Sequence, residues 1–210
     1  MVSNDKLKER LQKALAKEIA VLQDMKSCEA IVTLHNVLRT ENNTYLVFEY
    51  CAGGDLHKYM REKAFRLSEE DAQNVIHQLA TALKALRAIK VVHRDLKLSN
   101  ILLKSLPDQP PIVKLADFGL AKDYDYADAN KMLQTHCGTP INMAPEILEG
   151  QRYTDKADLW SLGTIVYELM VGSPPYSGVN EVELLKNIKA RSPAFPPHLG
   201  LSPLALDLIS

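Results

Sequence analysis

Along residues 7–22, Leu7, Leu11, Leu15, Ile19 and Leu22 recur at near-helical spacing on a background of Lys6, Glu9, Arg10 and Glu18. That spacing predicts an amphipathic helix with one apolar stripe. The heptad pattern does not persist beyond it, which makes a coiled coil the weaker alternative. After Ser27-Cys28 the pattern shifts to short runs rich in β-branched and aromatic residues, predicting strands over 31–38 and 44–50 with the polar turn Glu41-Asn42-Asn43 between them. Two glycines in Cys51-Ala52-Gly53-Gly54-Asp55 then interrupt the regular pattern and predict a linker.

Beyond the linker the chain turns helical. Ser68 with Asp71 predicts an N-terminal cap, and Ala72, Val75, Ile76, Leu79, Leu83 and Leu86 follow on one apolar face. The stretch 158–171 is apolar nearly all round, through Leu159, Trp160, Leu162, Ile165, Val166, Leu169 and Met170, so it belongs in the middle of a core. Proline-rich stretches at 107–111, 174–175 and 193–197 punctuate loops, and nothing repeats internally. The expected class is α+β: one helix plus a hairpin over 1–50, a hinge at 51–56, and a mainly helical larger unit over 57–210.

Composition narrows the function. At 210 residues and 46% hydrophobic content the chain can build one substantial core, which excludes disordered and fibrous classes. The formal charge is −1, with no basic run or aromatic-basic alternation, so no nucleic-acid partner is expected. Cys28, Cys51 and Cys137 are odd in number, widely spaced and lack a C-x-x-C pair, which argues against a disulfide framework or a zinc site and for a reducing compartment. The charged opening is unlike a secretory signal, and Val2 breaks the myristoylation pattern. The most apolar segment, Leu159 to Val171, is too short for a membrane span and contains Glu168. The expected setting is cytoplasmic or nuclear.

Four short motifs carry the chemistry. His93-Arg94-Asp95-Leu96-Lys97-Leu98-Ser99-Asn100 comes first, then Asp117-Phe118-Gly119, Ala144-Pro145-Glu146, and Asp158-Leu159-Trp160-Ser161-Leu162-Gly163. An isolated His-Arg-Asp would be weak, but the set and its order resemble eukaryotic protein kinases of the serine/threonine type. The hinge phrase Glu49-Tyr50-Cys51-Ala52-Gly53-Gly54-Asp55-Leu56, with Thr135-His136-Cys137-Gly138-Thr139-Pro140, is most similar to the autophagy-initiating kinases.

This resemblance implies a two-lobe fold and phosphoryl transfer from ATP with Mg²⁺ to a Ser or Thr hydroxyl of a protein substrate. Asp95 would accept or orient the hydroxyl proton, and Lys97 would neutralise the migrating phosphoryl group. Asn100 and Asp117 would hold the metal, because hard cations prefer oxygen donors. Phe48 would gate the adenine pocket, Glu49, Tyr50 and Cys51 would present hinge backbone to adenine, Asp55 would bind ribose, and Leu102 would lie under the purine. Leu22, Leu34, Phe118 and His93 would form a hydrophobic column linking the lobes, or act as ordinary core. Thr139 would position Asp95 and Lys97. Thr135 is the expected site for an upstream activating kinase, with Arg94 pairing to its phosphate.

The pattern also breaks. The family's glycine-rich loop and strand lysine, expected before Glu18, are not in these 210 residues, and the arginine that normally pairs with Glu146 is missing as well. The chain is therefore expected to be a kinase domain clipped at both ends, with an incomplete small β-lobe and reduced activity as given. A non-catalytic, pseudokinase-like scaffold is the alternative. Leu98 stands where the family commonly has proline, and Asn142 where it commonly has tyrosine.

Overall fold

The computed structural model describes residues 4–105, 109–123, 141–152 and 154–209. Its architecture is α+β. Helix α1 (Asn4–Asp24) precedes an antiparallel hairpin of β1 (Leu34–Arg39) and β2 (Thr44–Phe48). The amphipathic stripe of the sequence is the buried face of α1: Ile19 and Leu22 lie inside, while Leu11 stays exposed. Val37 and Leu46, cross-strand partners in the hairpin, face the same core, and Leu38 and Tyr45 on the opposite face are open to solvent.

The first strand starts later than expected, at Leu34 rather than residue 31. Residues 30–32 instead pair with β6 (Val113–Leu115), where the Val32 N–H donates to the Leu115 carbonyl and the Leu115 N–H to the Ala30 carbonyl, at 2.9 and 2.8 Å. Ile31 adds a single parallel bridge to Leu115. The second strand stops at Phe48, two residues short of the expected end, and Tyr50 is exposed.

The linker is more ordered than a flexible joint. Gly54–Asp55 forms a short strand, β3, pairing with β5 (Ile101–Leu103). Gly53 is required by close approach: a Cβ there would lie 2.3 Å from the Ser105 carbonyl oxygen. Gly54 has φ +75°, the left-handed region that favours glycine. Asp55 then caps α2 (Leu56–Glu62) by accepting the Lys58 N–H at 2.8 Å.

In the larger unit the expected cap is present: Ser68 Oγ accepts the Asp71 N–H at 3.1 Å and opens α3 (Glu69–Ala88). A short helix α4 (Pro145–Leu148) leads to α5 (Lys156–Val171), followed by α6 (Glu181–Ala190) and α7 (Pro203–Ile209). Helix α5 is buried nearly all round, as its composition requires, and shares one core with Val75, Leu79 and Ala82 of α3 and with Leu115 of β6. Each such large apolar side chain contributes about 1.5–3 kcal/mol when taken out of water. Among the described residues, no helix is long and apolar enough to cross a membrane.

Short strands fasten the motif-bearing loops at both ends. Val91–Val92 (β4) pairs with Lys122–Asp123 (β7), and β5 pairs with β6 so that Ile101 opposes Leu115. Residues 93–100 and 116–121 are thereby clamped between two ladders.

Candidate active site

The loop 93–100 is built on a buried carboxylate. Asp158, near the start of α5, accepts the N–H of His93 at 2.7 Å and that of Arg94 at 2.9 Å, satisfying two buried donors. Burial raises the Asp158 carboxyl, against the pull of His93 and of the two backbone donors. Arg94 sits at φ +73°, a conformation that this anchoring holds in place. His93 accepts the Asp95 N–H at Nδ1 (3.3 Å) and meets the Ala116 carbonyl through Nε2 (3.1 Å).

Three predicted side chains meet directly. Lys97 Nζ donates to Asp95 Oδ2 at 2.8 Å, and Asn100 Nδ2 donates to the same oxygen at 2.9 Å and to the Asp95 carbonyl at 2.8 Å. Both Nδ2 protons of Asn100 are used within the loop, so its Oδ1 is the atom available to a cation. Leu98, where the family commonly has proline, opens a 3₁₀ turn (Leu98–Asn100) and buries its side chain in the core.

Asp117 joins this group through the backbone, because the Ala116 N–H donates to the Asn100 carbonyl at 2.9 Å. Asp117 itself is exposed at φ +64° and accepts the Gly119 N–H at 3.3 Å. Phe118 is buried and meets the His93 ring edge-on at 4.9 Å; Leu22 and Leu34 are buried in the same core as Phe118. Glu18 is half-buried on α1. Burial, followed by the negative charge of Asp117, raises its carboxyl. One amide oxygen and one carboxylate suit magnesium, which takes one or two protein ligands and fills the rest with phosphate and water.

At the hinge, Asp55 and Leu102 are register partners on β3 and β5, and the Gly53 N–H donates to the Leu103 carbonyl at 2.9 Å. The Asp55 carboxylate is engaged in capping α2. Phe48 is at the surface. Glu49 turns its side chain inward to Lys114 Nζ at 2.9 Å and to Lys104 Nζ at 3.4 Å. Burial, followed by the charge of Glu49, raises the Cys51 thiol. Asn142 donates to the Leu96 carbonyl at 3.4 Å, and its own carbonyl accepts Ser161 Oγ at 2.7 Å, linking the segment before α4 to the loop. Thr135 and Thr139 lie outside the described residues.

Two residues that hold the site were not foreseen in these roles. Asp158 was visible only as part of a motif, with no local sign of its backbone partners. Lys114 did leave a signal: a charged residue between Val113 and Leu115 in an otherwise apolar strand calls for a buried counter-ion.

The family description "Protein kinase domain" matches residues 1–210. The chain is 42% identical over 200 residues to the serine/threonine-protein kinase atg1 of Dictyostelium discoideum, covering 94% of this chain and 28% of that protein. It is 37% identical over 187 residues to the serine/threonine-protein kinase ATG1c of Arabidopsis thaliana, covering 89% of this chain and 25% of that protein. Against the human serine/threonine-protein kinase ULK1 it is 41% identical over 187 residues, covering 86% of this chain and 17% of that protein. The chain thus spans less than a third of the length of these relatives.

Proposed function

The chain belongs to the protein kinase domain family, as a serine/threonine kinase similar to ATG1 and ULK1, and from that membership we propose that it transfers the γ-phosphate of ATP to Ser or Thr hydroxyls of a protein substrate. The observation that carries this reading is the convergence of Lys97 and Asn100 on one oxygen of Asp95, on a loop anchored by Asp158. A carboxylate so placed orients the incoming hydroxyl and takes its proton as the new O–P bond forms and ADP departs. Lys97, on the same oxygen, lies where it can offset charge on the transferring group. Asn100 and Asp117 would hold Mg²⁺, which neutralises the phosphates. Phe48, Glu49, Cys51, Asp55 and Leu102 would frame the adenosine.

Transfer by the 210 residues alone is expected to be slow, because burial and then the negative charge of Asp117 raise the Glu18 carboxyl, which leaves it poorly suited to holding a lysine that grips the phosphates. That same observation favours a scaffold as the second reading. An upstream kinase acting on Thr135, with Arg94 as the phosphate's partner, is the proposed control. The proposed setting is the cytoplasm or nucleus, in line with the free thiols of Cys28 and Cys51.

The test is single-turnover phosphorylation of Ser/Thr peptides by the purified chain with Mg-ATP. Asp95→Asn should lower the rate by about 10²-fold or more while the Mg-ATP thermal shift is retained. An unchanged rate in that variant defeats the assigned role of Asp95. Absence of any Mg-ATP thermal shift in the parent chain defeats the kinase reading and leaves the scaffold.

A further inference from the structure

Away from the loop 93–100 the chain buries a second set of opposite charges. Glu49 Oε1 receives Lys114 Nζ at 2.9 Å and the Thr33 backbone N–H at 2.8 Å, while Oε2 faces Lys104 Nζ at 3.4 Å. The Lys114 and Glu49 side chains are only 6% and 10% exposed, whereas Lys104 reaches in from the surface at 56%. Thr33 is bound twice, because its carbonyl also accepts the Glu49 N–H at 2.9 Å.

A buried ion pair is a weak source of net stability, since desolvating both charges offsets their attraction, whereas removing one partner leaves an uncompensated charge. Such a pair is better suited to selecting one arrangement of the segments that carry it. Here there are three segments. Glu49 stands where β2 gives way to the linker, Thr33 lies on the connection from α1 to β1, and Lys114 is on β6, three residues before Asp117. Slack in the pair would free the 49–51 backbone to move relative to the strand that carries Asp117.

We propose that Lys114, acting through Glu49, is a positioning residue for the nucleotide, locking the hinge backbone at 49–51 in register with β6 and hence with Asp117. The inference rests on the nucleotide site proposed above. Lys114 touches no substrate atom in this role. Lys104, the exposed arm, contributes little.

Two readouts test it on the 210-residue chain: Mg-ATP affinity by calorimetry, and amide hydrogen exchange at Glu49 and Gly53. Lys114→Met should weaken Mg-ATP by about tenfold or more, equivalent to one well-made contact, and speed exchange at both amides. Lys114→Arg, which keeps the charge, should restore both to within about threefold, an allowance near the usual scatter of such comparisons. Ile165→Val, a core change remote from the hinge, should lower stability without moving either readout. If Lys114→Met folds poorly, the neutral pair Glu49→Gln/Lys114→Met removes the unpaired charge, and it should still show weak binding and fast exchange. Unchanged affinity and exchange in these variants, or the same changes in Ile165→Val, overturns the proposal. A parent chain that binds no Mg-ATP refutes the nucleotide site itself, and hydrogen exchange then decides alone whether the pair locks the hinge.

Discussion

Replacing Glu49 with Gln keeps the side chain's shape and removes its charge from the junction with Lys114 and Thr33. Burial by itself would raise the Glu49 carboxyl. The hydrogen bond from Lys114, those from Thr33 and the Lys114 charge outweigh that effect and hold it at about 2, well below the ordinary carboxylate value of 4.5. Each unit is worth about 1.4 kcal/mol, so the ionised form contributes about 3 kcal/mol to folding. The sign follows from the depressed value: the contribution is fully present above pH 4.5 and is lost as pH falls through 4.5 toward 2. Linkage places about 2 kcal/mol of that loss between pH 6 and pH 3. Urea unfolding, followed through the single tryptophan, Trp160, would measure the parent and Glu49→Gln across that range. All other carboxylates cancel in the difference between the two chains. The parent should be the more stable at pH 6 by about 3 kcal/mol, and the gap should narrow steadily on acidification. Two stability curves that run parallel from pH 6 to pH 3 would refute the assignment of a paired, ionised Glu49.

Two more outcomes follow from the loop and its control. Asp158→Ala strands the buried N–H groups of His93 and Arg94, and at about 1–3 kcal/mol per orphaned donor the chain should lose about 2–6 kcal/mol. A shift below about 1 kcal/mol in urea titration would contradict the anchoring role. For Thr135, phosphopeptide mapping of active protein should find the residue phosphorylated, and Thr135→Ala should slow transfer by roughly tenfold, the value of one lost charge-assisted hydrogen bond. Active protein with no phosphate there, and a fully active Thr135→Ala, would remove it as the control point.

What could be read from the chain was local or motif-borne. The α3 cap at Ser68, its apolar face and the all-round burial of α5 each follow from residues three or four positions apart, a separation over which periodicity and capping operate. The contact of Asp95, Lys97 and Asn100 is of the same kind, because five residues and one 3₁₀ turn bring the three together. The strand boundaries were less legible. Whether residue 31 opens β1 depends on Leu115, far along the chain, and nothing in the alternation near Ile31 announces that partner.

By itself, then, the amino-acid order determined the α+β class, the amphipathic helices, the family motifs and the contacts within the loop 93–100, since each is encoded in short-range spacing. Tertiary structure alone decided that Asp158 would hold the backbone of His93 and Arg94, and that Glu49 would turn inward to Lys114. Those pairings join positions 64 or more residues apart in chain order. Closing such loops costs entropy that only a packed core can repay, so the partners are chosen by the assembled fold and not by any neighbour in the chain.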